Sequence, residues 1–337
     1  MSNLPPAVDR LQPESDEFRP RRGLRGGHLQ TLAGNFLPRV NLLEEPEERL
    51  FSVESDVQVL CRCHWQPARS VATTLIIVHG LEGSSESQYV IGTANKAFAA
   101  GMNVVRMNMR NCGNTEKLGP TLYHSGMSGD VAAVTRALIE EEKLERIALA
   151  GFSMGGNLVL KCAGEWGENA PRQVKAACAV SPAMDLGASA DALHDWRNRI
   201  YEIKFLWGLR RRFRRKSALF PERYPAAKLS RMRSLREFDD QVTARFSGFA
   251  GADDYYHRAA SARVLENIRI PTLVIHAEDD PFIRVLPTTR AKLRSNPSIQ
   301  FVECAHGGHC AFLAEANGYD GRWAERRIVE FAQKAGS

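Results

Sequence analysis

Three short stretches of this 337-residue chain carry side chains that could act on one another. The first is Gly151-Phe152-Ser153-Met154-Gly155, a GxSxG pattern between an apolar run at 146–152 and a helix-like run at 154–166. A sharp turn at such a junction strains Ser153 and lifts its Oγ clear of the backbone, while the flanking glycines remove Cβ atoms that would collide. The second is Ala277-Glu278-Asp279-Asp280-Pro281, and the third is His306-Gly307-Gly308-His309. A serine hydroxyl is a weak nucleophile by itself. An imidazole that takes its proton, and a buried carboxylate that fixes the imidazole's tautomer, make it a strong one.

Asp280 is preferred to Asp279 as the acid, because it leaves the preceding strand by a tight turn and Pro281 then continues in extended backbone. His309 is preferred to His306 as the base, since Gly307-Gly308 lets the loop carry the later histidine back toward Ser153. His79-Gly80-Leu81 closes an earlier apolar run. Its loop can bring the Leu81 N–H beside that of Met154 to form an oxyanion hole, with the His79 ring as a structural tether.

GxSxG alone is a weak signal, because any glycine-rich helix start reproduces it. The chain order Ser, Asp, His adds the specificity: it is the order of the α/β-hydrolase fold and differs from those of the chymotrypsin and subtilisin folds. A serine at the nucleophile position disfavours the dehalogenase and epoxide-hydrolase chemistries of that fold, which need a carboxylate. His28, His64, His194, His257 and His276 have no partner pattern, and neither a metal-binding His/Cys spacing nor a GxGxxG or Walker sequence occurs. No metal and no cofactor is expected.

The surrounding pattern supplies elements to hold these stretches. Residues 49–54 and 57–65 read as a hairpin. Apolar runs at 73–79, 103–109, 146–152, 174–180, 272–276 and 299–304 then read as strands, and 91–100, 129–142, 154–166 and 319–335 as helices. Short apolar runs alternating with helices predict a mostly parallel sheet covered on both faces. The expected organisation is an irregular N-terminal arm (1–48), a core (49–182 and 263–337) and a helical lid insertion (183–262) without a buried strand.

With 44% hydrophobic and 25% charged residues, the composition excludes wholesale disorder. Met1–Glu17 lacks the basic and apolar regions of a signal peptide, and no apolar run approaches the ~18 residues of a membrane span. The seven cysteines are scattered and odd in number, which fits a reducing cytoplasm, and Cys61 and Cys63 read as ordinary packing on one strand face. Net charge is +6, but residues 204–236 hold twelve Lys/Arg against Glu222 alone. Attraction to a polyanion therefore rests on that segment.

The sequence resembles the YheT-like α/β-hydrolases, relatives of plant embryogenesis-associated and animal ABHD lipid hydrolases. The resemblance runs through Arg25-Gly26-Gly27-His28-Leu29-Gln30-Thr31-Leu32, His79 to Ser84, Tyr123-His124-Ser125-Gly126 and Ser153 to Asn157. It continues through Glu237-Phe238-Asp239-Asp240, Asp254-Tyr255-Tyr256, Ala277 to Phe282 and Gly307-Gly308-His309. It implies hydrolysis of carboxylic esters, in some relatives lipid esters, by Ser153, Asp280 and His309 without a cofactor. Asn111 stands where such relatives usually carry a glycine, and asparagine tolerates positive φ better than most residues.

The expected function is a serine esterase acting on a small-molecule acyl ester. The alternatives are an acyltransferase, in which an alcohol replaces water, and a catalytically silent binding protein. In the insertion, Leu206, Leu209 and Phe213 share one helical face against a basic surface around Arg210–Lys216. The stripe is expected to pack on the core; the rival reading docks this segment peripherally on an anionic membrane. Nucleic-acid binding has no accompanying fold or stacking motif and ranks low.

Overall fold

The computed structural model describes residues 17–225 and 229–336; the expectation for the first sixteen residues lies outside them. Eight strands form one sheet in the order β1-β2-β4-β3-β5-β6-β7-β8. They are β1 (Glu47–Glu54), β2 (Val57–His64), β3 (Thr74–Val78), β4 (Asn103–Met107), β5 (Ile147–Phe152), β6 (Val174–Val180), β7 (Thr272–Ala277) and β8 (Ile299–Cys304). The β1–β2 hairpin is antiparallel and joins β4 antiparallel; β4, β3, β5, β6, β7 and β8 pair in parallel. Strands β3, β4, β5 and β7 are buried throughout, as continuous apolar runs in a sheet covered on both faces must be. The fold is thus the expected α/β-hydrolase architecture, with the strand ends that carry chemistry along one edge.

The arm is not irregular throughout. It contains α1 (Gly27–Phe36), whose N-cap, Gly26, makes no side-chain cap bond. Nothing local nucleates this helix strongly; tertiary bonds hold it. Buried Gln30 donates to the carbonyls of Leu24 (2.6 Å) and Leu313 (3.1 Å) and accepts from the Leu313 N–H (2.8 Å). The next helices are α2 (Gln88–Ala99), α3 (Ser128–Glu142) and α4 (Met154–Trp166).

Between β6 and β7 lie α5 (Leu186–His194), α6 (Arg199–Leu219), α7 (Leu235–Phe238) and α8 (Ala252–Ala259), with a π-helical turn at Asp239–Ala244 and no strand among the described residues. An unanticipated helix, α9 (Pro287–Ser295), starts with proline at its first position, where the missing N–H costs nothing. The last helix, α10, begins at Trp323 rather than 319, because Gly318 and Gly321 take positive φ and keep the preceding chain in turns.

The stripe of α6 packs inward as expected: Leu206, Leu209 and Phe213 are buried, and Phe213 meets Tyr224 and Phe246. The basic run is only partly a surface. Arg210 donates to the Met232 carbonyl, and Arg212 donates to Glu82 (2.9 Å) and to the Asn111 carbonyl. Lys216 is buried, donating to Asn111 Oδ1 (2.6 Å), the Glu116 carbonyl (2.7 Å) and the Gly119 carbonyl. Burial pulls its pKa down to about 8 against the opposing Glu116. Asn111 does adopt positive φ (64°), and its side chain receives this lysine.

Candidate active site

Ser153 sits between β5 and α4 at φ 54°, ψ −119°. Such a conformation costs a non-glycine residue about 1–3 kcal/mol and persists only where neighbours impose it. Its N–H donates to the Val180 carbonyl (2.9 Å), and its own carbonyl accepts from Asn157 and Ala183. The turn is tight enough that a Cβ on Gly151 would stand 2.2 Å from the Gly155 carbonyl oxygen, and one on Gly155 2.4 Å from that of His79. Both positions therefore require glycine.

Asp280 lies beyond β7, its side chain fully buried. Oδ1 accepts the N–H groups of Phe282 (3.1 Å) and Ile283 (2.9 Å), and Oδ2 lies 2.8 Å from His309 Nδ1. Burial raises its pKa, but His309 and these donors outweigh that and hold it below the ordinary value. Asp279 does something else: Oδ1 accepts from the Gly308 N–H (2.9 Å), and Oδ2 pairs with His306 Nδ1 (3.2 Å). The two adjacent acids thus divide two histidines between them.

The His309 loop also rests on the arm. Its N–H donates to Thr31 Oγ1 (2.9 Å). A Cβ on Gly27 would meet the Asp279 carbonyl at 1.8 Å, and one on Gly308 would meet the Gly27 carbonyl at 2.5 Å. Gln30 and Thr31 were missed as positioning residues; the only available signal was their place in the Arg25–Leu32 stretch.

Ser153 and the His309 loop converge on the end of β6. Cys310 N–H donates to Ser181 Oγ (3.1 Å), and its sulfur reaches the same Val180 carbonyl (3.6 Å) that receives the Ser153 N–H. His309 Nε2 faces Cys310 Sγ at 3.7 Å, and among the described residues no hydrogen bond joins it to Ser153 Oγ. Burial opposes charging of the ring, but the Cys310 sulfur and the Asp280 carboxylate prevail and raise its pKa to about 10.

Leu81, Met154 and Ser153 line one cavity of about 720 Å³ including its mouth, with Leu193, Phe205 and Phe282 among its apolar walls. Among the described residues neither the Leu81 nor the Met154 N–H has an acceptor. His79 is buried and neutral, its pKa lowered by burial to about 4. Its Nε2 accepts from the Met109 N–H (3.1 Å), which leaves Nδ1–H to donate to the Gly80 carbonyl (2.8 Å).

Residues 73–316 match the family model of the α/β-hydrolase fold. The chain belongs to that family. It is 32% identical to YheT of Escherichia coli (strain K12), named as a candidate esterase, over 94% of this chain and 93% of that one. It is 26% identical to human monoacylglycerol lipase ABHD2, over 91% of this chain and 77% of that one. A Pyrococcus furiosus esterase structure superposes with a TM-score of 0.58 at 15% identity, covering 89% of this chain and 97% of that chain, a likeness of fold alone.

Proposed function

We propose that this α/β-hydrolase is a serine esterase that cleaves acyl esters through a covalent acyl-enzyme. Ser153 Oγ attacks the ester carbonyl carbon while His309 Nε2 takes its proton, and Asp280 holds the other ring nitrogen and stabilises the charged ring. The Leu81 and Met154 N–H groups receive the carbonyl oxygen as it gains charge. His309 returns the proton to the departing alcohol as the C–O bond breaks. Water, deprotonated by the same imidazole, then releases the acid and regenerates Ser153.

The observation that carries this reading is the buried Asp280–His309 pair beside a strained serine in the wall of an apolar cavity. For the first proton transfer the ring must exchange the Cys310 sulfur for Ser153 Oγ, a tightening that often awaits substrate. The apolar walls suit a short- to medium-chain acyl group. The esterase and monoacylglycerol lipase names of the relatives agree with an ester substrate, including a lipid one.

The test is a series of p-nitrophenyl esters of increasing chain length, together with covalent labelling by a fluorophosphonate. Wild type is expected to hydrolyse and to be labelled, and Ser153→Ala to do neither. Equal hydrolysis by both proteins refutes Ser153 as nucleophile, and a wild type that is neither labelled nor active refutes the enzyme reading.

A further inference from the structure

The inward-facing stripe of α6 leaves a second, opposite stripe in solvent. Ile200, Ile203 and Trp207, at spacings of three and four, share one face of α6 and are 68%, 58% and 62% exposed, and Trp196, 76% exposed, stands in the 3-10 turn Trp196–Asn198 that leads into the helix. A soluble surface ordinarily scatters such residues singly. Toward its C-terminal half the same face turns basic, with Arg211, Arg214 and Arg215 exposed, and Lys204 and Arg197 stand beside the apolar part. Arg197 and Arg211 lie over the Trp196 and Trp207 rings at 5.4 and 5.5 Å.

The arm repeats this design. Helix α1 contains no acidic residue and exposes Leu29, Leu32 and Phe36 along one face, while Arg21, Arg22 and Arg25 stand exposed just before it. The two helices touch: the His28 ring stacks on Tyr201 at 5.8 Å, with Nδ1 3.1 Å from its hydroxyl. Tyr201 packs on Phe282 at 5.2 Å, and Phe282 packs on His309 at 4.4 Å. Of the two helices that carry these exposed apolar stripes, α6 therefore lies two ring contacts from the proposed base and α1 three.

We propose that the exposed faces of α1 and α6 form one docking surface for an anionic lipid bilayer. Tryptophans suit the interface between headgroups and acyl chains, where one edge of the ring is wet and the other dry. Aliphatic side chains entering the acyl boundary supply apolar burial, and arginines beside them meet lipid phosphates. Among the described residues no helix is long and apolar enough to cross a membrane, and the proposed contact is made by these surface side chains. Charge selects this partner: a second copy would bring the same basic flanks against themselves. The surface acts in binding alone and does not require the esterase reading, which would give it the purpose of presenting an acyl ester beside the cavity.

Co-sedimentation with phosphatidylcholine vesicles, with and without about 30% phosphatidylglycerol, tests the proposal. Wild type and Ser153→Ala are both expected to pellet with the anionic vesicles, less so as salt rises. Ile203→Glu/Trp207→Glu should lose on the order of tenfold or more in partitioning, and Arg211→Glu/Arg214→Glu a similar factor, with whatever binding is left depending less steeply on salt than that of wild type. All four side chains are exposed, so hydrolysis of a soluble short-chain ester should survive in both variants. Wild type remaining in the supernatant, or both variants binding as wild type does, overturns the proposal. So does a concentration-dependent dimer abolished by Trp207→Glu, which assigns the face to a second copy. Vesicle binding without hydrolysis counts against the esterase reading alone, and hydrolysis of soluble esters without vesicle binding counts against the docking surface alone.

Discussion

Replacing Ser153 by glycine and by alanine separates what the elbow does for chemistry from what it costs the fold. At an ordinary helix or strand position glycine is less stable than alanine by about 0.5–1 kcal/mol, because the unfolded chain gains freedom. At φ 54°, ψ −119° any residue with a Cβ bears about 1–3 kcal/mol of strain, which glycine removes and alanine keeps. Among the described residues no hydrogen bond uses Ser153 Oγ, so neither substitution removes a polar contact from the fold. The difference reverses the usual ranking: Ser153→Gly should be about 0–2 kcal/mol more stable than Ser153→Ala, a rise of a few degrees in Tm at most. Urea denaturation with both variants, supported by calorimetry at one scan rate, measures it, and both should lack esterase activity. If glycine proves less stable than alanine by about 1 kcal/mol, as at an unstrained site, the stored-strain reasoning is wrong.

Further outcomes follow from the divided acids and from the sulfur beside His309. Asp280→Asn should lower kcat by up to about 10⁴, since the ring loses its orienting carboxylate, whereas Asp279→Asn, which weakens the His306 and Gly308 contacts, should cost far less; a reversed ranking exchanges the roles. A base with pKa near 10 is mostly protonated at neutral pH, so kcat/KM should rise with pH well above the ordinary histidine range. Cys310→Ala should move that limb downward, and an unmoved limb in a pH profile excludes the sulfur as a cause. The stability contribution runs the other way. His309 is raised on folding, so its contribution is fully present below about pH 6.5 and is lost as pH climbs through about 10.

Much of this molecule is legible from local pattern. The alternation of apolar runs and helices gives the parallel sheet because each segment carries its own periodicity, and the elbow is written in consecutive glycines whose steric demands lie within a few residues of Ser153. Element ends were less legible. The sequence suggested a helix from residue 319, and turns at Gly318 and Gly321 delayed it to Trp323.

The amino-acid sequence alone determined the strand-to-helix junction at Ser153 and the chain order of a serine, two candidate acids and two candidate histidines. Tertiary structure decided how they pair: Asp280 meets His309 and Asp279 meets His306 across separations of 29 and 27 residues. It also decided that Thr31 holds a loop 278 residues away, that Lys216 turns into the core, and that Trp207 turns out. The division has a physical cause: backbone strain and periodicity depend on neighbours in the chain. Which polar group is paired, and which apolar face is left in water, depends on surfaces that meet only after the sheet has assembled.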